Sequence, residues 1–310
     1  SVFVTNLLLL RQSQAATRSQ LKSSRKRFDF EMCFDIESQI FRGKTMEISD
    51  DLLEINPNLK SQVAYVGKGK HKAVLVDNFY KDLEKILEAI AKLPYTDHYD
   101  LTGNFPGRRA QINISTEPVV NAISELWGSQ LYSFFQPQLA VFQALTTNDY
   151  RLNIGQRAPH IDPDITALIY LNPEHYCAGG TALYRHRPTG LERLPRLPIT
   201  PDQEVWQLAE RLELSNEFFQ TEEGYENFQR SMIFNPLFAA KGNNYINDGN
   251  EFWEFLQLVE MKPNRLAIFD ARVFHSQYIK EGHYDKVFRM NQIIYLTAEQ
   301  NTMRTGSSLA

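Results

Sequence analysis

From Gln62 onward the chain is built of short apolar runs divided by turn residues. Val63-Ala64-Tyr65-Val66 and Ala73-Val74-Leu75-Val76 read as two strands joined by Gly67-Lys68-Gly69-Lys70. Asp77-Asn78 then leads through Phe79-Tyr80 into a helix ending near Leu93, with Leu83, Ile86, Leu87 and Ile90 at helical spacing and Pro94 as the stop. Gly103 to Arg109 reads as a loop by its turn residues, and a second helix is expected over about 119–127. Further strands are predicted at 139–145, 166–171, 181–184, 265–269, 273–279 and 290–296, with another candidate at 150–154. Between the last two groups of strands the pattern changes. Residues 188–201 are proline-rich, and residues 202–234 are charged and helical, with Val205, Leu208, Leu212 and Leu214 roughly on one face. Many short strands with few helices between them predict a jelly roll or barrel, mainly β with flanking helices. The stretch from about 188 to 250 reads as a helical insertion in it.

Composition narrows the picture. A hydrophobic content of 43% and an aromatic content of 12% support a substantial core, and a net charge of −4 argues against a general nucleic-acid binder. Two cysteines do not make a disulfide framework, so a reducing, cytoplasmic setting is expected. The apolar run Leu7 to Leu10 is far too short to span a bilayer. Residues 1–30 hold no acid before Asp29 and are rich in Arg, Lys, Ser and Gln; they read as a basic, disordered tail or a transit segment. Residues 31–310 are expected to form one domain.

The chemistry starts at Pro159-His160-Ile161-Asp162-Pro163. On an extended chain His160 and Asp162 project to the same side. A histidine and a carboxylate so placed are two parts of the facial triad that holds Fe(II) in non-haem oxygenases. The competing reading is a plain Asp162-Pro163-Asp164 turn. Of the seven histidines, His275 alone shares with His160 a strand-edge position beside a turn, which makes it the third ligand. Such a triad leaves three metal positions for a bidentate 2-oxo acid and dioxygen. Arg289, 14 residues on (289 − 275), opens the last strand, where its planar fork can hold the far carboxylate of that acid. Tyr150 is a candidate hydrogen-bond partner for the cosubstrate, or a core tyrosine. Tyr184, His186 and Arg187 are candidate substrate contacts. For Tyr184 the competing reading is core packing, and for His186 a solvated basic strand end. Arg108 and Arg109 read as exposed turn residues, with substrate contact as the alternative, His175 and His283 as exposed, and Cys177 as a small apolar residue.

The order His160-x-Asp162, His275, Arg289 resembles the Fe(II)/2-oxoglutarate-dependent dioxygenases. The Gly179-Gly180-Thr181 to Tyr184 strand and the Gly155-Gln156 approach to the metal motif are similar to their prolyl 4-hydroxylase-like branch. More narrowly, Val76-Asp77-Asn78-Phe79, Phe105-Pro106-Gly107-Arg108, Pro159 to Asp162, Gly179 to Arg187, Thr189-Gly190 and Asn264-Arg265-Leu266 resemble the DUF6445 proteins. The resemblance implies a double-stranded β-helix of the jelly-roll, cupin-like kind. It implies Fe(II) on His160, Asp162 and His275, 2-oxoglutarate on Arg289, and ascorbate as a supporting reductant. Relatives commonly carry Ser or Thr two residues beyond the arginine; Asn291 stands there and can donate through its amide. The carboxylate at 162 favours hydroxylation or another oxidation over halogenation, since related halogenases have a small residue there. The resemblance implies hydroxylation of an amino-acid, peptidyl or other small-molecule substrate. The alternative function is a non-catalytic metal-binding β-helix, a sensor or interaction module. The insertion is expected to be a lid over the site, or else a structural elaboration or a homodimer contact.

Overall fold

In the computed structural model, residue 49 and most of residues 51–298 are described; the internal gaps are 50, 94, 98–107, 135–138, 146–156, 163, 198–203, 212–215, 236–244 and 286. The basic tail, the strand expected at 150–154 and Tyr150 lie outside the described residues. The chain divides into residues 1–46 and 47–310, and everything below concerns the second unit.

That unit is mainly β, with two antiparallel sheets. The larger contains β1 (Ser61–Val66), β2 (His71–Val76), β3 (Thr96–Asp97), β4 (Arg108–Asn113), β5 (Tyr132–Ser133), β6 (Leu139–Leu145), β7 (Ile165–Tyr170), β10 (Leu266–Asp270) and β12 (Arg289–Thr297). Its strand order is β1-β2-β10-β7-β12-β6-β4-β3, with β5 joined to β12. The smaller sheet is ordered β11-β8-β9, from β11 (His275–Tyr278), β8 (Gly180–His186) and β9 (Trp253–Glu260). The four longer helical segments are α1 (Leu83–Ile90), α2 (Glu117–Trp127), α3 (Glu204–Arg211) and α4 (Glu222–Phe228).

The period of two along each strand sorts side chains to the two faces of the large sheet. Val74, Val76, Ile165, Ala167, Ile169, Leu266, Ile268, Ile294 and Leu296 form one face, packed with Ile86, Ile90, Val119 and Ile123 of α1 and α2. Helix α1 starts where Asp82 accepts a hydrogen bond from Lys85 N at 2.9 Å. The opposite face presents Leu168, Tyr170, Ala267 and Phe269 to Leu183 and Val259 of the small sheet. The small sheet is therefore the second wall of an inter-sheet core.

Four strands escaped the sequence reading: the two-residue β3 and β5, and the longer β4 and β9. Strand β9 carries a bulge opposite Leu183/Tyr184, which breaks its alternation. Strand β4 begins at Arg108, where a loop was expected to continue. Its pattern Arg109-Ala110-Gln111-Ile112-Asn113 does alternate, and Ala110 and Ile112 are buried on the helix side.

The insertion emerges between β8 and β9. Within it Phe219, Tyr225 and Phe228 form one aromatic cluster, and the Tyr225 hydroxyl donates to Pro195 O at 2.5 Å. The chain leaves it directly into β9, the edge strand of the small sheet. Among the described residues no helix is long and apolar enough to cross a membrane.

Candidate metal centre

The residue before a proline is biased to extended backbone, which favours that conformation at Ala158 and Asp162. This segment lies along β11 as an added short strand. His160 N donates to His275 O at 2.9 Å, and His275 N donates back to His160 O at 3.0 Å. Asp162 N donates to Ala271 O, and Ala271 N to Asp164 O, both at 2.9 Å. Backbone pairing alone thus brings a residue at 275 beside residues 160 and 162, although 113 positions (275 − 162) separate them in sequence.

The side chains converge as the pairing requires. One donor atom each from His160, Asp162 and His275 lies within 4.8 Å of the others, the one such group among the described residues. The imidazole centroids are 4.7 Å apart, and the Phe269 ring meets His275 edge-on at 5.1 Å. His275 is buried, while His160 and Asp162 are half-buried, so the centre opens on their side.

Both histidines are oriented by their own backbone. His160 Nδ1 lies 3.1 Å from Ala158 O, and His275 Nδ1 2.8 Å from Val273 O. A carbonyl only accepts, so each Nδ1 carries the hydrogen and each Nε2 of the neutral ring keeps its lone pair. His275 Nε2 faces Asp162 Oδ2 at 3.3 Å. A lone pair against a carboxylate is repulsive unless a cation, a proton or a metal ion, stands between them. Where that cation is a proton on His275 Nε2, burial would push the Asp162 carboxyl up, but the hydrogen bond and charge of that ring, with His160 and Arg109 behind, hold it below the ordinary carboxylate range. Burial and the neighbouring His275 hold His160 below the ordinary imidazole range, against the pull of Asp162. A donor set of two neutral imidazoles and one carboxylate suits an octahedral divalent ion such as Fe(II).

A family model described as "Family of unknown function (DUF6445)" matches residues 57–227 and 213–286. The chain belongs to the DUF6445 family. No curated protein matches it.

In this DUF6445 chain the other expected site residues divide. Arg289 and Asn291 are 1% exposed and project from β12 into the inter-sheet space, on the face that Ile293 shares. The Arg289 guanidinium reaches Gly180 O at 3.4 Å and lies 5.5 Å from the Tyr170 ring, with no carboxylate partner among the described residues. Its Nε and Asn291 Oδ1 are buried without a hydrogen-bond partner. Gly180 lies three register steps from Leu183, which pairs with His275. That is about 10 Å along β8 at the usual strand rise.

Tyr184 and His186 are placed elsewhere. They alternate with Leu183 and so stand on the face of the small sheet turned away from His275. The Tyr184 hydroxyl donates to Ile246 O, and its ring meets Phe255. His186 is fully buried, bonded to Thr189 Oγ1 at 2.9 Å, and tilted against the Trp253 ring. Burial pushes its pKa down to about 3, so it stays neutral and is neither an anion contact nor a solvated strand end. Arg187 is exposed and donates to Asn250 O at 3.1 Å. His283 is half-buried against Tyr284 instead of exposed, whereas His175 is exposed. Cys177 is half-buried, and burial raises its thiol to about 11, as suits a packing residue.

Arg109 is the residue that sequence reasoning misplaced. It lies within β4, not in a turn, with its Nε sealed from solvent. The alternation from 109 to 113 was the signal that could have found it.

Proposed function

We propose that this protein is an Fe(II)- and 2-oxoglutarate-dependent dioxygenase that hydroxylates a C–H bond of a small-molecule or peptidyl substrate, and that its two sheets are the walls of a double-stranded β-helix. The observation that carries the reading is the pairing of two features in one inter-sheet space. One is the His160-Asp162-His275 donor set, and the other is a buried arginine with no carboxylate partner among the described residues. Leaving a guanidinium buried and unpaired by an acid costs several kcal/mol, roughly what a bound dicarboxylate would return through a charge-assisted fork.

Bound at the triad, Fe(II) supplies oxidative chemistry in which dioxygen and 2-oxoglutarate become hydroxyl on the substrate, succinate and carbon dioxide. The protein's own part is to bind and orient. The carbonyls of Ala158 and Val273 hold the imidazoles in the Nε2-donor tautomer. Phe269 fixes the ring plane of His275. Arg289 holds the far carboxylate, with the Asn291 amide beside it on the same strand face. The apolar wall of Leu168, Leu183 and Ala267 excludes water from the space between.

The test is direct. Under anaerobic conditions, purified protein with Fe(II) and 2-oxoglutarate should show a weak visible charge-transfer band, and on admission of air should form succinate without added substrate. His160→Ala or Asp162→Ala should remove the band. Metal binding without any response to 2-oxoglutarate would instead indicate a non-catalytic metal-binding module.

A further inference from the structure

Gln277 is a polar residue of the inter-sheet space with no role in the metal and arginine subsites. Strand β11 alternates. Ser276 Oγ donates to the Tyr184 hydroxyl at 3.3 Å, and the Tyr278 ring meets Phe255, both on the outer face of the small sheet. His275 and Gln277 therefore share the inner face, where the His275 ring meets Phe269. Two residues of strand, about 6.6 Å, separate Gln277 from the ligand histidine.

Register carries the position on to Arg289. Gln277 pairs with Thr181 of β8, and the next pair, Tyr278 with Gly180, includes the carbonyl that the Arg289 guanidinium reaches. Thr181 Oγ1 and the Tyr170 hydroxyl satisfy each other at 2.8 Å across the space, and the guanidinium lies 5.5 Å from the Tyr170 ring. Tyr170 is in turn the register partner of Asn291. Gln277 thus stands on the small-sheet wall between the metal ligand and the arginine, in the row that meets Tyr170 and Asn291. Its Oε1 is sealed from solvent without a hydrogen-bond partner, as are Asn291 Oδ1 and Arg289 Nε. A buried amide oxygen to which nothing donates costs stability, where a leucine of similar size would not.

We infer that Gln277 is a further binding residue for the 2-oxo acid, its amide donating to a carboxylate oxygen of the acid. The inference rests on the oxygenase reading above. A carboxylate only accepts, so the amide must offer its N–H. Half a turn about its last side-chain bond puts Nε2 where Oε1 stands, with almost no change of shape. The metal and Arg289 hold the acid at its two ends, and Gln277 holds it from the side, which fixes its rotation between those ends. The same residue then costs the empty fold stability and adds affinity to the loaded one.

The experiment pairs two measurements on the full chain. Protein loaded with Zn(II), which suits the donor set and brings no redox chemistry, is titrated calorimetrically with 2-oxoglutarate. The metal-free protein is unfolded in denaturant. Gln277→Leu should weaken 2-oxoglutarate binding about tenfold or more, as expected for a lost hydrogen bond to a charged group. Its Zn(II) affinity should match wild type, and its metal-free fold should be at least as stable. Gln277→Glu keeps the shape but sets a negative charge against the acid's own, and should weaken binding further. A packing role would lower stability and leave the 2-oxoglutarate titration unmoved. The inference is overturned if Gln277→Leu binds 2-oxoglutarate as wild type does, or if its metal-free fold is weaker than wild type. If wild type binds no 2-oxoglutarate, the inference and the oxygenase reading fail together. If wild type binds it but forms no succinate with Fe(II) in air, the oxygenase reading alone fails, and the titrations of the two variants still decide the role of Gln277.

Discussion

At the scale of single residues, burial separates groups of the same type. His186 and His160 are both held below the ordinary imidazole range, chiefly by desolvation, but only His160 faces a carboxylate. The folded pKa of His186, about 3, lies below its unfolded value near 6.5. The unfolded chain therefore takes up the proton first, and stability falls as pH drops below about 6.5. At pH 5 the loss from this group is about 2 kcal/mol. Melting curves between pH 7.5 and 5 should show it, and His186→Asn should flatten that slope. Arg289 invites a separate measurement. Arg289→Gln should raise the 2-oxoglutarate concentration needed for the visible band by about 10- to 100-fold, as expected for a lost charge-assisted hydrogen bond. An unchanged requirement would remove Arg289 from the cosubstrate site.

At the scale of elements, several stretches that resembled the family turn out to hold one another. Asn264, at φ 54°, receives Tyr80 N on its Oδ1 at 2.9 Å, and its carbonyl accepts Phe79 N at 2.9 Å. Arg265 closes the same junction on Asp77, with contacts of 2.5 and 3.0 Å. Two motifs some 190 residues apart thus form a single joint between α1 and β10. A second joint is Glu192, 5% exposed, which accepts from Lys68 N and Gly69 N at 3.0 Å and from Arg185 Nε at 2.9 Å. It ties the β1–β2 turn to β8. Glu192→Ala leaves Arg185 with Glu254 alone, at 2.8 Å, and strands Lys68 N and Gly69 N; it should cost about 1–3 kcal/mol in denaturant unfolding. The Gly179-Gly180 pair has a different cause. A Cβ at Gly179, φ +67°, would sit 1.9 Å from Tyr278 O, and one at Gly180, φ +148°, 2.0 Å from Val259 O. Gly179→Ala should therefore lower stability by at least about 2 kcal/mol and loosen the entry to β8 beside Arg289.

At the scale of the whole molecule, the candidate metal ligands come from two chain segments that the ladder between residues 160–164 and 271–275 brings together. An ion bound there favours only the folded state. At a free metal concentration 100 times its dissociation constant it should add about 2.7 kcal/mol of stability. The melting temperature should accordingly rise with Fe(II) or Zn(II), fall with a chelator, and stay level in Asp162→Ala.

Much of this was legible in the chain. Local apolar patterns marked β1, β2, β6, β7, β10 and β12 within a residue or two, because a strand buried on one or both faces must show its period or its run of apolar residues. The triad was legible as types and order, since an i, i+2 pair on extended backbone needs no tertiary information. Strand β9 was hidden by its bulge, and β4 by glycines that read as a longer loop. What the sequence by itself determined, then, is which side chains are candidates to coordinate and which strands are buried. Only the tertiary structure decided which face each strand turns to the site. That choice set Tyr184 and His186 on the far side of the small sheet and turned Arg109 toward the metal centre. The reason is physical: one residue of register or one bulge moves a side chain through the sheet, and local sequence carries no record of which neighbour it will meet there.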